Sequence, residues 1–375
     1  MAPINTISQS VKYGLHYAAS WPDASFLILR KFLWMILFSV LHWHQYSYVI
    51  AHFRSDTLME IIDNLGTCLA FTLMGVKLVI AWAHHSLLRK ILITMDEECK
   101  KYAVMDTNNL ISKTAHLSFC LTTGIMSLYV ISTIFYAIDV LMPKETNITT
   151  SRKLLLKMDL PFDASRWPIY NLVITVQYFF QASSAFMLSV FTALLLMVVL
   201  HVGCQIDIMC QTLTNTRYEK EEQLKFFISR HQDIIIFSEQ IEQFFTYTAL
   251  IQLLTCTIIT CCLGYLIIIE LNTTNESSML TKCVVFYISI SFEGLIYSFA
   301  GEYLSDKSKL IGNTAYEFLW YNLHPNESRL LIPVILRSQR GFTFTCGKFS
   351  SLSMETFTSM MKASASYISV LLAMT

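Results

Sequence analysis

Apolar residues are concentrated in seven runs, at 33–53, 61–82, 117–141, 171–200, 250–270, 283–303 and 353–374, with polar segments between them. A helix of about 20 apolar residues crosses the roughly 30 Å hydrocarbon core of a bilayer. The pattern therefore predicts an all-α polytopic membrane protein with seven transmembrane helices. The fourth run is long for one crossing, which predicts either a tilted helix or one that continues beyond the membrane. After it, Leu224, Phe227, Ile228, His231, Ile234, Ile235, Ser238, Ile241 and Phe245 recur at helical spacing. That stripe predicts helices packed together below the membrane.

Composition agrees with lipid as the solvent. The chain is 54% hydrophobic and 14% charged, with a mean hydropathy of +0.48. Its net charge is zero and its pI about 7.1, so no global field points to nucleic acid. The first run is too long for a signal-peptide core, and no small-residue cleavage site follows it, which makes it a retained span. Most of the ten cysteines lie inside apolar runs or in inner segments, and there is no CxxC pair. They read as small buried hydrophobes rather than as a disulfide or zinc framework.

Basic residues set the expected orientation. With the amino terminus inside, eighteen Lys and Arg fall in cytoplasmic segments and seven in outer ones, with Lys77 and Lys362 inside spans. The positive-inside rule then favours a cytoplasmic amino terminus and an extracellular carboxy terminus. The glycosylation sequons at Asn147, Asn272 and Asn275 fall in outer loops, whereas the one at Asn326 would be cytoplasmic and unused. A G-protein-coupled receptor needs the opposite orientation. It would also carry Asp-Arg-Tyr at the third span and Asn-Pro-x-x-Tyr in the seventh, and neither is present.

The last run carries the sharpest chemical signal. At 100° per residue, Glu355, Ser359, Lys362, Ser366, Ser369, Val370 and Ala373 share one face, while Phe357, Met360, Met361, Ile368, Leu371 and Leu372 share the other. One reading is that small residues let helices pack closely while Lys362 snorkels. The other is a water-lined face. Lys362 favours the second, because a lipid-facing charge there costs about 2.5–3.5 kcal/mol. Lys77, near the inner end of span two, is expected to snorkel, and Glu293, in the middle of span six, to need a partner or water. His42 and His44 face different sides of a helix, and His84 and His85 are interfacial, so a haem or metal site is disfavoured. No other pattern indicates catalysis, and no cofactor is expected.

The carboxy-terminal stretch resembles insect odorant receptors. The carrying residues are Ala315-Tyr316, Trp320-Tyr321, Arg337-Ser338-Gln339, Gly347-Lys348-Phe349, Ser353-Met354-Glu355-Thr356-Phe357 and Ser366-Tyr367, in matching order and spacing. The short segment between spans four and five resembles a tuning receptor rather than the longer shared co-receptor. Gustatory receptors are the runner-up. They end in Thr-Tyr and then Gln-Phe, where this chain has Ser366-Tyr367 and then Leu372-Ala373.

The resemblance implies a plasma-membrane subunit of olfactory sensory neuron dendrites. It would be a ligand-gated non-selective cation channel, opened by small volatile apolar molecules and tetrameric with the co-receptor. It divides the chain into a cytoplasmic segment (1–32), six helices with an outer ligand pocket and cytoplasmic extensions (33–303), an inter-subunit anchor (304–352) and a pore-lining helix (353–375). A helix over 315–336 would belong to the anchor, with Trp320 and Tyr321 packing either there or in the subunit's own core. The pocket candidates are Cys68, Phe71, Ser132, Phe135, Tyr136, Tyr178, Phe179, Ala182, Phe186, Phe286, Tyr287 and Ile290. Ser132, Tyr136 and Tyr287 carry hydroxyls able to orient an alcohol or carbonyl. Val370 and Met374 align with an apolar constriction that gates by dewetting.

Overall fold

Long helices without an internal proline dominate the chain. The computed structural model describes residues 6–21, 27–106, 108–141, 154–162, 166, 168–214, 220–272, 277–318 and 320–373. In chain order the helices are α1 (Gln9–Tyr17), α2 (Leu27–His52), α3 (Leu58–Ala83), α4 (His85–Tyr102), α5 (Leu110–Leu141), α6 (Ile169–Thr214), α7 (Lys220–Asn272) and α8 (Ser277–Glu317). A 3₁₀ turn (Trp320–Asn322), α9 (Pro325–Ser328) and α10 (Leu331–Gln339) follow. A two-stranded hairpin of β1 (Thr345–Cys346) and β2 (Ser350–Ser351) then leads into α11 (Met354–Ala373).

Six helices, α2, α3, α5, α6, α7 and α8, are long and apolar enough to cross a membrane. The 20-residue α11 is long enough as well. It stands outside that group because serines, Glu355 and Lys362 dilute its hydropathy.

At 1.5 Å per residue, the 46 residues of α6 and the 53 of α7 extend well beyond the hydrocarbon. The fourth predicted span therefore continues past the membrane as helix. The stripe from Leu224 to Phe245 and the fifth span are one helix, α7. Along that stripe Leu224, Phe227, Ile234, Ile241 and Phe245 are buried. α6 forms the centre, with an almost unbroken run of buried residues from Met187 to Ile206. α2 is peripheral: none of its most apolar stretch is buried, as expected of a helix that meets lipid on most sides.

The amino-terminal segment runs along α6 instead of forming a free tail. The Ser8 amide meets Met197 Sδ at 3.4 Å, and the Tyr17 hydroxyl meets Ser183 Oγ at 2.7 Å. Val11 and Leu15 are fully buried. Residues 27–32, expected to precede the first span, belong to α2.

A single helix over 315–336 does not form. α8 ends at Glu317, and three short pieces replace the expected helix; Pro325, which has no N–H to donate, sits in the first turn of α9, where none is needed. Trp320 and Tyr321 are exposed, which excludes them from the subunit's own core. The Gly347-Lys348-Phe349 motif is the turn of the hairpin. The register pairs Cys346 with Ser350, so residues 347–349 form the loop; Gly347 and Lys348 both have positive φ there, and the Phe349 amide donates to Cys346 O at 3.1 Å. The Gly347 amide donates to Thr246 O at 3.0 Å, which ties the turn to α7. Beyond it, Ser353 Oγ caps α11 by accepting from the Thr356 amide at 3.2 Å.

Candidate ligand pocket and final helix

α3, α5, α6 and α8 surround a mainly apolar cavity of about 60 Å³. α3 contributes Thr67, Ala70 and Phe71; α5 contributes Tyr129, Ser132, Thr133 and Tyr136; α6 contributes Gln181, Ser184, Ala185 and Leu188; and α8 contributes Phe286, Ser289 and Ile290. Of the residues expected from sequence, Phe71, Ser132, Tyr136, Phe286 and Ile290 line this cavity. The other seven do not. Phe135 and Phe179 are exposed, and Cys68 is buried away from the cavity. Tyr178 is not in the lining but packs on a cluster of Leu155 and Leu156 that shares Phe71 and Tyr136 with the cavity wall. Phe186 lies against Tyr17 of α1, ring centroids 5.7 Å apart, and Ala182 and Tyr287 miss the lining by one helical position. On α6 the cavity face is hard to choose from sequence, because apolar residues dominate the helix and its few polar ones are scattered. Gln181, Ser184, Ala185 and Leu188 do recur at helical spacing, a signal visible in the sequence but obscured there by the apolar residues between them.

Two ion pairs join α3 to α8. Lys282 donates to both oxygens of Asp63 at 2.9 Å, and its ammonium lies 4.4 Å from the centre of the Tyr136 ring. Lys77 donates to Glu293 Oε1 at 2.6 Å, and Thr192 donates to the same oxygen at 2.9 Å. Lys77 and Glu293 are each 1% exposed. Lys77 therefore does not snorkel: it is the partner that Glu293 requires. In a low-dielectric interior each charge removes most of the other's cost.

One turn of α8 links the cavity to α11. Ile290 lines the cavity, and its carbonyl accepts from Cys256 Sγ at 3.3 Å. Glu293 and Gly294 follow. A side chain at Gly294 would meet Cys256 Sγ at 3.1 Å and Met360 Cε of α11 at 3.2 Å, so glycine lets α11 approach. Ser364 Oγ and Thr260 Oγ1, 2.9 Å apart, join α11 to α7.

The two faces of α11 separate as their spacing implied. Met360 is buried, and Phe357, Met361, Leu371 and Leu372 pack on the core, while Ile368 is half-buried. Glu355, Ser359, Lys362, Ser366, Ser369, Val370 and Ala373 are all exposed. Met374 lies outside the described residues, as do Asn147 and Asn275. Asn272 is exposed at the end of α7.

The family model described as 7tm odorant receptor matches residues 57–365. The chain belongs to the odorant receptor family. Among fly relatives of this odorant receptor, odorant receptor 22c of Drosophila melanogaster is 24% identical over 169 residues, which are 45% of this chain and 40% of the relative. Odorant receptor 13a of the same species is 29% identical over 164 residues, or 40% of this chain and 38% of the relative. The aligned stretches thus span about two fifths of those receptors' length. The fold is shared with the olfactory receptor OR5 of Machilis hrabei, solved in complex with eugenol, at a TM-score of 0.79 and 12% identity, covering 97% of this chain and 98% of that one. A second structure of OR5 gives a TM-score of 0.75 at 14% identity, covering 97% of each chain. The family accounts for a multi-pass plasma-membrane receptor and not for an enzyme.

A second polar cluster lies at the end of the bundle that holds α4. Glu98 accepts from His201 Nε2 at 3.0 Å and from Arg230 Nη1 at 2.7 Å, and Arg230 Nη2 donates to Gln205 Oε1 at 2.8 Å. Thr6 Oγ1 lies 2.9 Å from His201 Nδ1. Burial pushes the Glu98 carboxyl up, but the hydrogen bonds and charges of His201 and Arg230 outweigh it and hold it at about 2. Among the described residues no group of three His, Cys, Asp or Glu side chains is arranged to hold a metal ion.

Proposed function

We propose that this odorant receptor is a tuning subunit of a ligand-gated, non-selective cation channel. Its ligand would be a small, mostly apolar volatile held between α3, α5, α6 and α8. It would assemble with the co-receptor in a tetramer, with its amino terminus in the cytoplasm and α11 contributing to a central pore. One observation carries the reading: α11 packs its apolar face on α7 and α8, while the face from Glu355 to Ala373, polar over most of its length, is exposed among the described residues. In lipid, the charges of Glu355 and Lys362 would be costly, and a water path removes most of that cost. Eugenol in OR5 of Machilis hrabei supports a small aromatic volatile as the type of ligand.

Gating requires a ligand to bind the open state more tightly than the closed one. The route for that difference is short, since Ile290 of the cavity is one turn from Gly294, against which Met360 packs. Co-expression with the co-receptor tests the proposal. Volatile-evoked cation currents that change when Ile290→Ala widens the cavity support it. Normal surface expression with no evoked current across a broad volatile panel contradicts it.

A further inference from the structure

Two polar side chains on the α6 wall of the cavity have no hydrogen-bond partner within the protein. Ser184 is 1% exposed and its Oγ meets no donor or acceptor, and Gln181 Oε1 is likewise buried and unpartnered. They are three residues apart, on the same face of the helix, and both line the cavity. Across the cavity, Tyr129 Oη of α5 is also buried without a hydrogen-bond partner, whereas two other lining hydroxyls are paired. Thr133 donates to Val130 O at 2.8 Å and Ser289 to Val285 O at 2.9 Å, so their protons are committed to their own helices. The rest of the wall is mainly apolar: Phe71, Phe286, Ile290 and Leu188.

Buried polar groups left unpaired destabilise a complex, and a ligand that displaces water from such atoms must reproduce its hydrogen bonds. A primary amide presents both a donor and an acceptor, and so does a serine hydroxyl. The smallest ligand group that answers both in one place is a hydroxyl, which donates to one partner and accepts from the other. A carbonyl or ether oxygen only accepts and leaves the acceptor of Gln181 unpaired. A hydrocarbon leaves both side chains unpaired. Exchanging O and N of the Gln181 amide does not change this, because either assignment leaves a donor and an acceptor facing the cavity.

We propose that Gln181 and Ser184 select hydroxyl-bearing volatiles, compact alcohols or phenols, over the matching carbonyl compounds, ethers and hydrocarbons. This rests on the cavity being the odorant site. The aromatic walls stack the ligand's apolar body, and the Gln181–Ser184 pair fixes its hydroxyl against α6. Selectivity arises mainly as rejection: a site whose polar groups need pairing discriminates strongly against an analogue that lacks the group.

The test uses the full receptor co-expressed with the co-receptor, with current as the readout and matched sets of probes. One set is 2-phenylethanol, phenylacetaldehyde and ethylbenzene; a second is 1-hexanol, hexanal and hexane. Wild type should respond to the alcohol of a set at the lowest concentration, with the aldehyde next and the hydrocarbon last. Gln181→Met conserves volume, and Ser184→Ala removes only the hydroxyl. Each should raise the half-maximal alcohol concentration by roughly tenfold, as expected for one neutral hydrogen bond, and leave the hydrocarbon response unchanged or stronger. A wild-type order led by an aldehyde or hydrocarbon, silence of every alcohol, or an unchanged order in both variants at normal surface expression overturns the proposal. Phe71→Ala and Phe286→Ala separate it from the reading beneath. If they alter all responses while Gln181→Met leaves the order intact, only hydroxyl selection falls. If they alter none, the cavity itself is not the odorant site, and the proposal falls with it.

Discussion

Glu98, at the end of the bundle that holds α4, accepts from both His201 and Arg230, whereas Gln181 and Ser184, in the cavity wall, have no protein partner at all. Both sets sit within one bundle and share α6, yet the first joins three helices and the second borders open space. The difference separates scaffold from site. Where buried polar groups satisfy one another, they fix how helices pack; where they remain unpaired beside a cavity, they are available to a ligand. The Lys77–Glu293 pair likewise joins helices, α3 to α8, although Glu293 Oε2 has no hydrogen-bond partner.

The comparison is broken most severely by leaving a scaffold charge alone. Glu293→Leu strands Lys77 in the bundle, and removing one partner of a buried pair costs about 3–5 kcal/mol. Surface biotinylation should show little receptor reaching the membrane. Lys77→Met combined with Glu293→Leu should recover a large part of it. Equal surface levels for wild type and the single variant would place the pair outside the scaffold.

Glu98 offers a milder perturbation with a defined pH signature. Its folded carboxyl, at about 2, lies below the ordinary value of 4.5. The stabilisation is therefore complete above pH 4.5, amounts to about 3 kcal/mol, and is lost as pH falls from 4.5 toward 2. Thermal unfolding of purified receptor should show a steep loss of stability across that window. Glu98→Gln should be less stable at neutral pH and nearly flat between pH 4.5 and 2. Parallel profiles would remove Glu98 from the scaffold.

The smallest expected effect is in the cavity, where the structure revises the sequence reading. Tyr136→Ala should change the ranking of odorants by up to about tenfold in half-maximal concentration, since one lost contact is worth roughly 1 kcal/mol. Tyr287→Ala should leave the ranking unchanged, because Tyr287 does not line the cavity. A larger shift from Tyr287 than from Tyr136 would mean that the ligand sits elsewhere.

How much was legible in the sequence depended on amphipathic contrast. α11 showed its two faces because charged and small residues alternate with large apolar ones, and the structure buries Met360 while exposing Lys362. α6 hid its cavity face because apolar residues dominate that helix and its few polar ones are scattered. Gln181 and Ser184 of α6, like Tyr129 of α5, remain unpaired in the cavity wall, but unpaired status is a three-dimensional property. The partner of Glu293 was illegible for the same reason, since Lys77 lies 216 positions away in sequence. The helix expected over 315–336 came from the family resemblance, and Pro325 within it was the residue that spoke against a single helix.

The central claim is that the polar face of α11 meets a water path, and accessibility along that helix tests it most directly. Single cysteines at Glu355, Ser359, Lys362 and Ser366 would be compared with cysteines at Phe357, Ile368 and Leu371 in the co-expressed complex, with small charged thiol reagents applied while current is recorded. The first group should react and alter the current, and the second should not. Reaction that is equal on both faces, or absent from the polar face of a conducting complex, would make that face a helix-packing seam and contradict the account.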